Sequence, residues 1–344
     1  MIQARIARKI PPGFSLDIEF QAGAGVTALY GPAGAGKSLI LDAIAGFAPL
    51  DSGRILLDDV LLFDAAAGVS VPARLRNCGY VSRDGSLFPH LSVRQNLMFA
   101  ALRRPRLERH RRVAEMLERF QLTSAATLAP PRLTAAQKYA CAIARALLAD
   151  PRALLLDDPD RRVDESLLRR IRDGFDGPIL LATQELDLCC AAAAEMVVLD
   201  AGRVLQRGAP REILLQPDSV EVARLVGIPN LFEGVIAALD PGRKSSRLEL
   251  AEFELTGPYF PGHFRGDRVW LAIRAEDLRV HSAAAESIAN LVAAQLLHVS
   301  ERSGFIRLEF AGGIFADLSR EEFERQRDNK GWQVEFPPHA LRIL

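Results

Sequence analysis

A glycine-rich stretch near the amino terminus has the residue types needed to hold a polyphosphate. It matches the spacing Gly-x4-Gly-Lys-Ser/Thr and runs Gly31-Pro32-Ala33-Gly34-Ala35-Gly36-Lys37-Ser38. Glycines let the backbone fold around phosphate oxygens, and a helix that follows presents its positive end. In such a loop Lys37 reaches the β and γ phosphates, and the Ser38 hydroxyl is a ligand for magnesium. The stretch therefore predicts a site for a nucleoside triphosphate and Mg²⁺.

The sequence on both sides of this loop distinguishes a phosphate site from a simple glycine-rich turn. Before the loop, Val26-Thr27-Ala28-Leu29-Tyr30 has the continuous apolar character of a buried strand. After it, apolar residues recur with helical spacing at Leu39, Ile40, Ala43, Ile44 and Phe47. A strand, a loop and a helix in this order are the context that the motif requires, so the phosphate site is favoured.

A second group of motifs lies in the middle of the chain. Leu133-Thr134-Ala135-Ala136-Gln137 is followed by the strand-like run Leu154-Leu155-Leu156, which ends in Asp157-Asp158-Pro159. Together with the glycine-rich loop, these motifs and their spacing resemble the ATPase subunits of ABC transporters. In that family a Leu-Ser-Gly-Gly-Gln signature precedes a strand that ends in Asp-Glu-Pro. The resemblance covers about residues 1–230.

The resemblance implies a role for each motif, with ATP and Mg²⁺ as cofactors. Asp157 holds the magnesium ion, together with Ser38, through its outer shell or an ordered water. Asp158 polarises the attacking water. The signature Leu133–Gln137 begins a helix and caps the γ-phosphate bound to the opposite subunit, so that two subunits sandwich ATP head to tail.

Four features depart from the family pattern and lie at positions that the family uses for catalysis. In the signature, Thr134 keeps a hydroxyl, but the two alanines after it add methyl groups where backbone should approach phosphate closely. Asp158 replaces a glutamate and is shorter by one methylene, about 1.5 Å of reach. Arg83 stands where the family has glutamine, and Gln184 replaces a histidine and cannot carry charge. Because a misplacement of about 1 Å can cost about 100-fold in rate, we expect retained ATP binding with weakened hydrolysis.

The elements that must position these residues are predicted to form an α/β domain of the P-loop NTPase type. Continuous apolar runs at 26–30, 153–156 and 179–182 are typical of strands that are covered on both faces. A hairpin is predicted where Asp200-Ala201-Gly202 separates two β-type runs.

A helical insertion is predicted at about residues 88–132. Four apolar residues share one helical face by their spacing, namely Val113, Met116, Leu117 and Phe120. The insertion also contains arginines that could contact a partner or acidic lipid, or that form a solvated helix face: Arg103, Arg104, Arg106, Arg109, Arg111 and Arg112.

The length of 344 residues favours two domains, which we place at 1–229 and 230–344. After Pro229, short β-type runs alternate with glycine and proline, which predicts a small all-β domain, an OB-like barrel with a regulatory role in the family. A weak internal sequence similarity links Gly266-x-x-Val269 and Leu278-Arg279-Val280 with Gly331-x-x-Val334 and Leu341-Arg342-Ile343. Two related halves of the domain would produce this similarity, and so would chance resemblance between short strands.

Composition excludes several other classes of protein. The formal net charge is +0, which removes the basic surface that a nucleic-acid binder needs. No apolar run approaches the ~18–20 residues that span a bilayer, and the first residues do not resemble a signal peptide. The four cysteines, Cys78, Cys141, Cys189 and Cys190, lack metal-ligand spacing and are interpreted as buried small hydrophobes.

The amino-terminal half is most similar to the ATPases of molybdate importers, through Gly25–Pro32, Ala43–Gly46 and Leu61-Leu62-Phe63-Asp64 before Val71-Pro72. Leu87–Val93 and Ile273-Arg274-Ala275-Glu276-Asp277 resemble a wider group of importers. The resemblance implies a subunit that energises uptake of a small oxyanion, molybdate first and sulfate or thiosulfate second. It also implies a location at the cytoplasmic face of the inner membrane, a permease in two copies and, indirectly, an external binding protein.

Two other functions stay open at this point. A non-transport ABC protein is the first, although a second ATPase cassette or a long coiled coil would be expected there. An ATP-binding clamp or regulatory subunit with little turnover is the second, and the four departures favour it. The resemblance implies a homodimer, and a heterodimer with an intact second ATPase is the alternative.

Overall fold

The computed structural model describes residues 1–157, 163–282, 289–302, 304–327 and 331–344. They form two compact units, Met1–Ile213 and Leu214–Leu344. The predicted start of the β-rich sequence, residue 230, is also the first residue of a long strand, Asn230–Asp240. The segment that precedes this strand, from Leu214 onward, belongs to the same compact unit.

The first unit contains both strands and helices. Its strands are β1 (Ile2–Ile10), β2 (Phe14–Ala22), β3 (Gly25–Tyr30), β4 (Ser52–Leu57), β5 (Val60–Asp64), β6 (Val69–Ser70), β7 (Cys78–Val81), β8 (Ala153–Asp157), β9 (Pro178–Thr183), β10 (Glu195–Asp200) and β11 (Arg203–Gly208). Its helices are α1 (Lys37–Ala45), α2 (Val93–Ala100), α3 (Arg106–Arg119), α4 (Ala135–Leu148), α5 (Glu165–Arg172) and α6 (Leu186–Ala192), and α7 (Pro210–Leu215) crosses the division between the units.

One sheet joins the strands of the first unit in the order β6-β5-β4-β1-β2-β11-β10-β3-β9-β8-β7. At one side of this sheet, β10, β3, β9, β8 and β7 are parallel neighbours. The carboxyl ends of parallel strands meet at the same edge, where α/β proteins bind their ligands. The segments that follow β3, β7 and β9 therefore lie at the same edge as Asp157, the last residue of β8.

The predicted buried strands are confirmed, because β8 and β9 are buried at every position. Their alternate side chains belong to two different hydrophobic clusters. Leu154 and Leu156 pack in the cluster that contains Ile143 of α4. Leu155 lies in the cluster that contains Ile40 of α1. The sheet is thus covered on both faces, which explains the continuous apolar runs.

The helical insertion is confirmed as α2 and α3 with short 3₁₀ turns. On α3, Val113 and Leu117 are buried, as is Phe120 at its carboxyl end. Arginines of this region form ion pairs within the chain, including Arg111 Nη1 with Glu115 Oε1 at 2.8 Å and Arg112 Nη1 with Asp150 Oδ1 at 2.7 Å. The predicted hairpin is also present, with β10 and β11 antiparallel.

The second unit contains the small β domain that the sequence predicts, although one helix, Arg320–Gln326, lies within the range predicted to be all-β. Its strands are β12 (Asn230–Asp240), β13 (Ser245–Leu250), β14 (Glu254–Pro258), β15 (Arg268–Ile273), β16 (Arg279–Ser282), β17 (Leu291–Ala294), β18 (Leu296–Arg302), β19 (Phe305–Phe310), β20 (Ile314–Leu318), β21 (Trp332–Glu335) and β22 (Arg342–Ile343), and its further helices are α8 (Val220–Leu225) and α9 (Arg320–Gln326). Over the described residues they form three sheets, β14-β13-β12-β15-β22, β16-β21-β17 and β18-β19-β20.

The two segments with similar sequences have the same local structure, which is a strand, a 3₁₀ turn and a second strand. β15 and β16 flank the turn Ala275–Asp277, and β21 and β22 flank the turn Pro338–Ala340. The pairing is reciprocal, because β15 pairs with β22 and β16 pairs with β21. Crosswise pairing of this kind favours two related halves over chance similarity.

The cysteines are free thiols, and Cys141 and Cys189 are buried. Burial raises the pKa of each of these two thiols to about 12, so both stay protonated near neutral pH. The prediction of buried small hydrophobic residues is confirmed for these two, whereas Cys78 and Cys190 are only half-buried. Within the described ranges, none of the helices is long and apolar enough to cross a membrane.

Candidate nucleotide site

A cavity of about 330 Å³ opens at the carboxyl edge of the parallel strands of the first unit. It is lined by Ile10, Phe14, Ala33, Gly34, Gly36, Lys37, Ser38, Leu39, Arg83, Asp157, Ala182 and Gln184. The structure thus brings together the glycine-rich loop, the end of β8 and the segments after β7 and β9. These are the places where the sequence predicts phosphate-binding and catalytic residues.

The shape of the loop requires glycine at two positions in particular. A Cβ atom on Gly31 would lie 2.1 Å from the backbone oxygen of Leu199 on β10, a distance that no side chain tolerates. Gly36 has a φ of +102° and precedes the first residue of α1, so it turns the chain from loop into helix. Gly31 therefore lets the loop approach β10 closely, and Gly36 lets the chain turn directly from the loop into α1.

Lys37 ties the loop to the start of α1. Its Nζ atom donates hydrogen bonds to the backbone oxygens of Gly31 and Pro32, each at 2.7 Å. Burial lowers the pKa of the Lys37 ammonium below its ordinary value, and nearby Arg83 lowers it further, while Asp157 opposes both. The loop is therefore organised around a buried cation.

Arg83 joins the two residues predicted to hold the metal. Its Nη2 atom donates to the Ser38 Oγ atom at 2.9 Å, and its Nε atom donates to the Asp157 Oδ2 atom at 3.3 Å. Asp157 is nearly buried, with 8% of its side chain exposed, whereas 63% of the Arg83 side chain is exposed. A cation from the chain itself thus bridges these two oxygen donors.

The signature residues lie at the start of α4 and are not among the residues that line this cavity. Thr134 caps the helix, since its Oγ1 atom accepts from the Gln137 backbone nitrogen at 3.2 Å. Gln137 Oε1 accepts in return from the Thr134 backbone nitrogen at 3.0 Å. The Leu-Thr-Ala-Ala-Gln sequence therefore forms a complete capping box at the amino terminus of a long helix, with Ala135 and Ala136 exposed.

Two more predicted catalytic residues have different outcomes. Gln184 follows β9 directly, is exposed and lines the cavity. Asp158 lies outside the described residues, so its predicted role stays a prediction.

Comparison with known proteins agrees with this arrangement. The family model for ABC transporters matches residues 15–161. A molybdenum import ATP-binding protein of Brucella abortus is 34% identical over 340 residues, which cover 93% of this chain and 91% of that protein. The chain belongs to the ABC transporter ATPase family.

Other similar proteins match this ABC ATPase over a smaller share of its length. A molybdenum import ATP-binding protein of Rhodospirillum rubrum is 39% identical over 215 residues, 60% of this chain and 58% of that relative. Among solved structures, cbiO1 of Clostridium perfringens, part of the ABC transporter complex cbiONQ, is similar with a TM-score of 0.54 and 26% identity. That similarity covers 65% of this chain and 94% of cbiO1.

Several residues that shape the ABC ATPase site were not predicted from the sequence. Ile10 and Phe14 give the cavity an apolar wall, and Phe14 lies beside Gly36. Tyr139 of α4 is fully buried, and its hydroxyl donates to the backbone oxygen of Asp157 at 2.9 Å. The helix that carries the signature is thereby joined to the end of β8.

The metal that the family implies is compatible with the residues present. Across the described ranges, no three His, Cys, Asp or Glu side chains are grouped as a metal cluster. Mg²⁺, however, needs only one or two protein oxygen ligands beside phosphate and water. Ser38 Oγ and Asp157 Oδ2 both contact the Arg83 guanidinium, so two oxygen donors of the kind that Mg²⁺ prefers face the same part of the cavity.

Arg76 is a buried cation at the carboxyl end of α1, the helix that follows the glycine-rich loop. Its Nη1 atom donates to the backbone oxygens of Ala43 and Ile44 at 2.8 and 3.0 Å, and its Nε atom donates to that of Val71 at 2.7 Å. Burial lowers the pKa of this guanidinium. A positive charge at a helix carboxyl terminus stabilises the helix, and here it also satisfies three backbone oxygens.

We therefore expect Arg76→Met to destabilise the first unit by on the order of 3 kcal/mol, because it leaves those oxygens without their donor. For a unit of this size, the melting temperature should fall by about 6–12 °C. Differential scanning calorimetry measures the change. Arg74→Met, at an exposed neighbouring position, is the control and should leave the melting temperature nearly unchanged. Equal melting temperatures for both variants would contradict the role of Arg76.

Proposed function

We propose that this ABC ATPase binds ATP with Mg²⁺ and energises the import of a small oxyanion, with molybdate as the cargo. The observation that carries the proposal is the similarity to a molybdenum import ATP-binding protein over 93% of the chain, which spans both units. The complete glycine-rich loop and the oxygen pair of Ser38 and Asp157 support the nucleotide part. Sulfate or thiosulfate is the alternative cargo.

In this proposal the residues around the cavity contact different parts of the nucleotide. The loop and Lys37 bind the phosphates, and the apolar wall of Ile10 and Phe14 suits the base. Mg²⁺, when bound near Ser38 and Asp157, neutralises charge that develops on the transferred phosphoryl group. In this proposal Gln184, which lines the cavity, donates a hydrogen bond to the γ-phosphate, and Asp158 orients the attacking water.

The assembly that we propose has two ATPase chains on a permease of two subunits, at the cytoplasmic face of the inner membrane. The capped amino terminus of α4, with exposed Ala135 and Ala136, is available to the nucleotide of an opposing chain. A homodimer is the primary expectation. In a heterodimer, the partner would supply one site with intact catalytic residues.

Reconstitution with a molybdate permease and its binding protein tests the function. We expect phosphate release and uptake of labelled molybdate to rise together when the loaded binding protein is added. Sulfate and thiosulfate in separate reactions identify the alternative cargoes. Mass spectrometry of the intact complex counts its ATPase chains. Uptake without any dependence on ATP would contradict the proposal.

A clamp with little turnover is the second candidate, and one observation favours it. Arg83 engages Ser38 and Asp157, the two residues that hydrolysis needs for the metal. The clamp predicts nucleotide binding with negligible phosphate release, both alone and with the permease. Two copies of this chain with brisk transport-coupled hydrolysis would exclude both the clamp and the heterodimer.

A further inference from the structure

We propose that the Arg83 guanidinium can take the position of the metal between Ser38 and Asp157, so that this chain binds a nucleoside triphosphate even when no divalent ion is present. The inference rests on the proposed nucleotide site and specifies how that site obtains its positive charge. Mg²⁺ then competes with an arginine of the chain.

The contacts of Arg83 are the first argument. Its Nη2 and Nε atoms are 2.9 Å from Ser38 Oγ and 3.3 Å from Asp157 Oδ2, respectively. These oxygens belong to the two residues that the sequence predicts as metal ligands. A guanidinium stays charged at any relevant pH and presents its donors in a rigid fork, which suits carboxylate and phosphate oxygens together. A magnesium ion and the guanidinium cannot occupy the same space between them.

The segment that carries Arg83 is fixed in place. Asp84 Oδ1 accepts hydrogen bonds from the hydroxyls of Ser82 and Ser86, at 2.7 and 2.9 Å. Arg145 of α4 donates from Nη1 to the backbone oxygen of Ser86 at 2.9 Å. Because the turn is held from two sides, the guanidinium is directed to the loop before any nucleotide arrives, and little ordering is needed on binding.

Electrostatics gives the second argument. Lys37 and Arg83 both line this cavity, so the two cations act on the same region. A triphosphate that binds there meets both of them, whereas glutamine at position 83 would leave Lys37 as the cation. Charged hydrogen bonds to phosphate are among the stronger polar contacts in proteins. The charge that other members of the family take from the ion is here supplied by the chain.

Calorimetry with ATP, once in excess EDTA and once in excess Mg²⁺, tests the inference on the full-length protein. For the natural chain we expect dissociation constants that agree within about threefold. For Arg83→Gln we expect the affinity to fall about tenfold or more in EDTA and to recover with Mg²⁺. Arg111→Gln is the matched control, since Arg111 is also an exposed, ion-paired arginine (67% against 63% exposed), and it should behave like the natural chain.

The natural chain alone is sufficient to decide, even where a variant folds poorly. Loss of ATP binding in EDTA by the natural chain, with full binding in Mg²⁺, would overturn the inference and leave the proposed function standing. A variant Arg83→Gln that binds ATP equally in both buffers would also overturn it. Failure of the natural chain to bind ATP in either buffer would instead overturn the nucleotide site itself.

Discussion

Lys37→Ala should weaken ATP binding by about 100-fold or more, the largest loss that we expect from any single substitution in this chain. The ammonium is the cation that the loop itself contributes toward the β and γ phosphates. It also donates to the backbone oxygens of Gly31 and Pro32. The alanine variant therefore loses a charged contact to phosphate and the tie that holds the loop to α1.

Titration calorimetry with ATP in the presence of Mg²⁺ measures this loss. Lys9→Ala is the control, because Lys9 is an exposed lysine on β1 and lies outside the cavity lining. Thermal unfolding of both variants shows whether the fold is kept. An affinity for ATP that Lys37→Ala leaves unchanged would remove the phosphate-binding role of the loop.

The parallel sheet could be predicted because its signal is local. Strands that are covered on both faces must be apolar at every position, and Ala153–Asp157 and Pro178–Thr183 follow that rule except at their ends. The glycine-rich loop was predictable for a similar reason, since its spacing and its flanking strand and helix all lie within one short segment. Only the order of the strands in the sheet then decides which loops become neighbours.

The contacts that distinguish this site from its family could not be predicted, because they join distant positions. Arg83 is separated from Ser38 by 45 positions and from Asp157 by 74. The sequence indicates that Arg83 replaces a glutamine, and from this we expected only a weakened catalytic residue. That its guanidinium bridges the metal-binding oxygens depends on the pairing of β7 with β8, which places both segments at one edge.

The signature contains a helix-capping pattern that was visible in the sequence and that our prediction did not use. The prediction concentrated on Ala135 and Ala136, whose methyl groups differ from glycine. Thr134 and Gln137 are spaced as a capping box, the pattern S/T-x-x-E/Q, which stabilises a helix start irrespective of nucleotide. The structure shows that both reciprocal hydrogen bonds are formed. The departures from the family are therefore compatible with a rigid, correctly begun α4.

Asp158→Glu combined with Gln184→His should raise the rate of ATP hydrolysis on the order of 100-fold if the natural residues limit catalysis. The glutamate restores one methylene of reach toward the attacking water, and the histidine restores a group that can carry charge and pass on a proton. Gln184 lines the cavity at the end of β9, so a histidine there faces the same space. One substitution alone should give little, because catalytic groups that act together are not additive.

Phosphate release by the purified chain, with and without its permease, measures the increase in the rate of ATP hydrolysis. Adding Arg83→Gln to the double variant tests whether the guanidinium also lowers this rate. Asp187→Glu combined with Gln3→His makes the same chemical changes away from the cavity and should leave the rate unchanged. A pair that gains nothing until Arg83→Gln is added would identify competition between arginine and Mg²⁺ as the limiting factor. No gain even in the triple variant would mean either that the signature Leu133–Gln137 limits the rate or that Asp158 and Gln184 already position the water well.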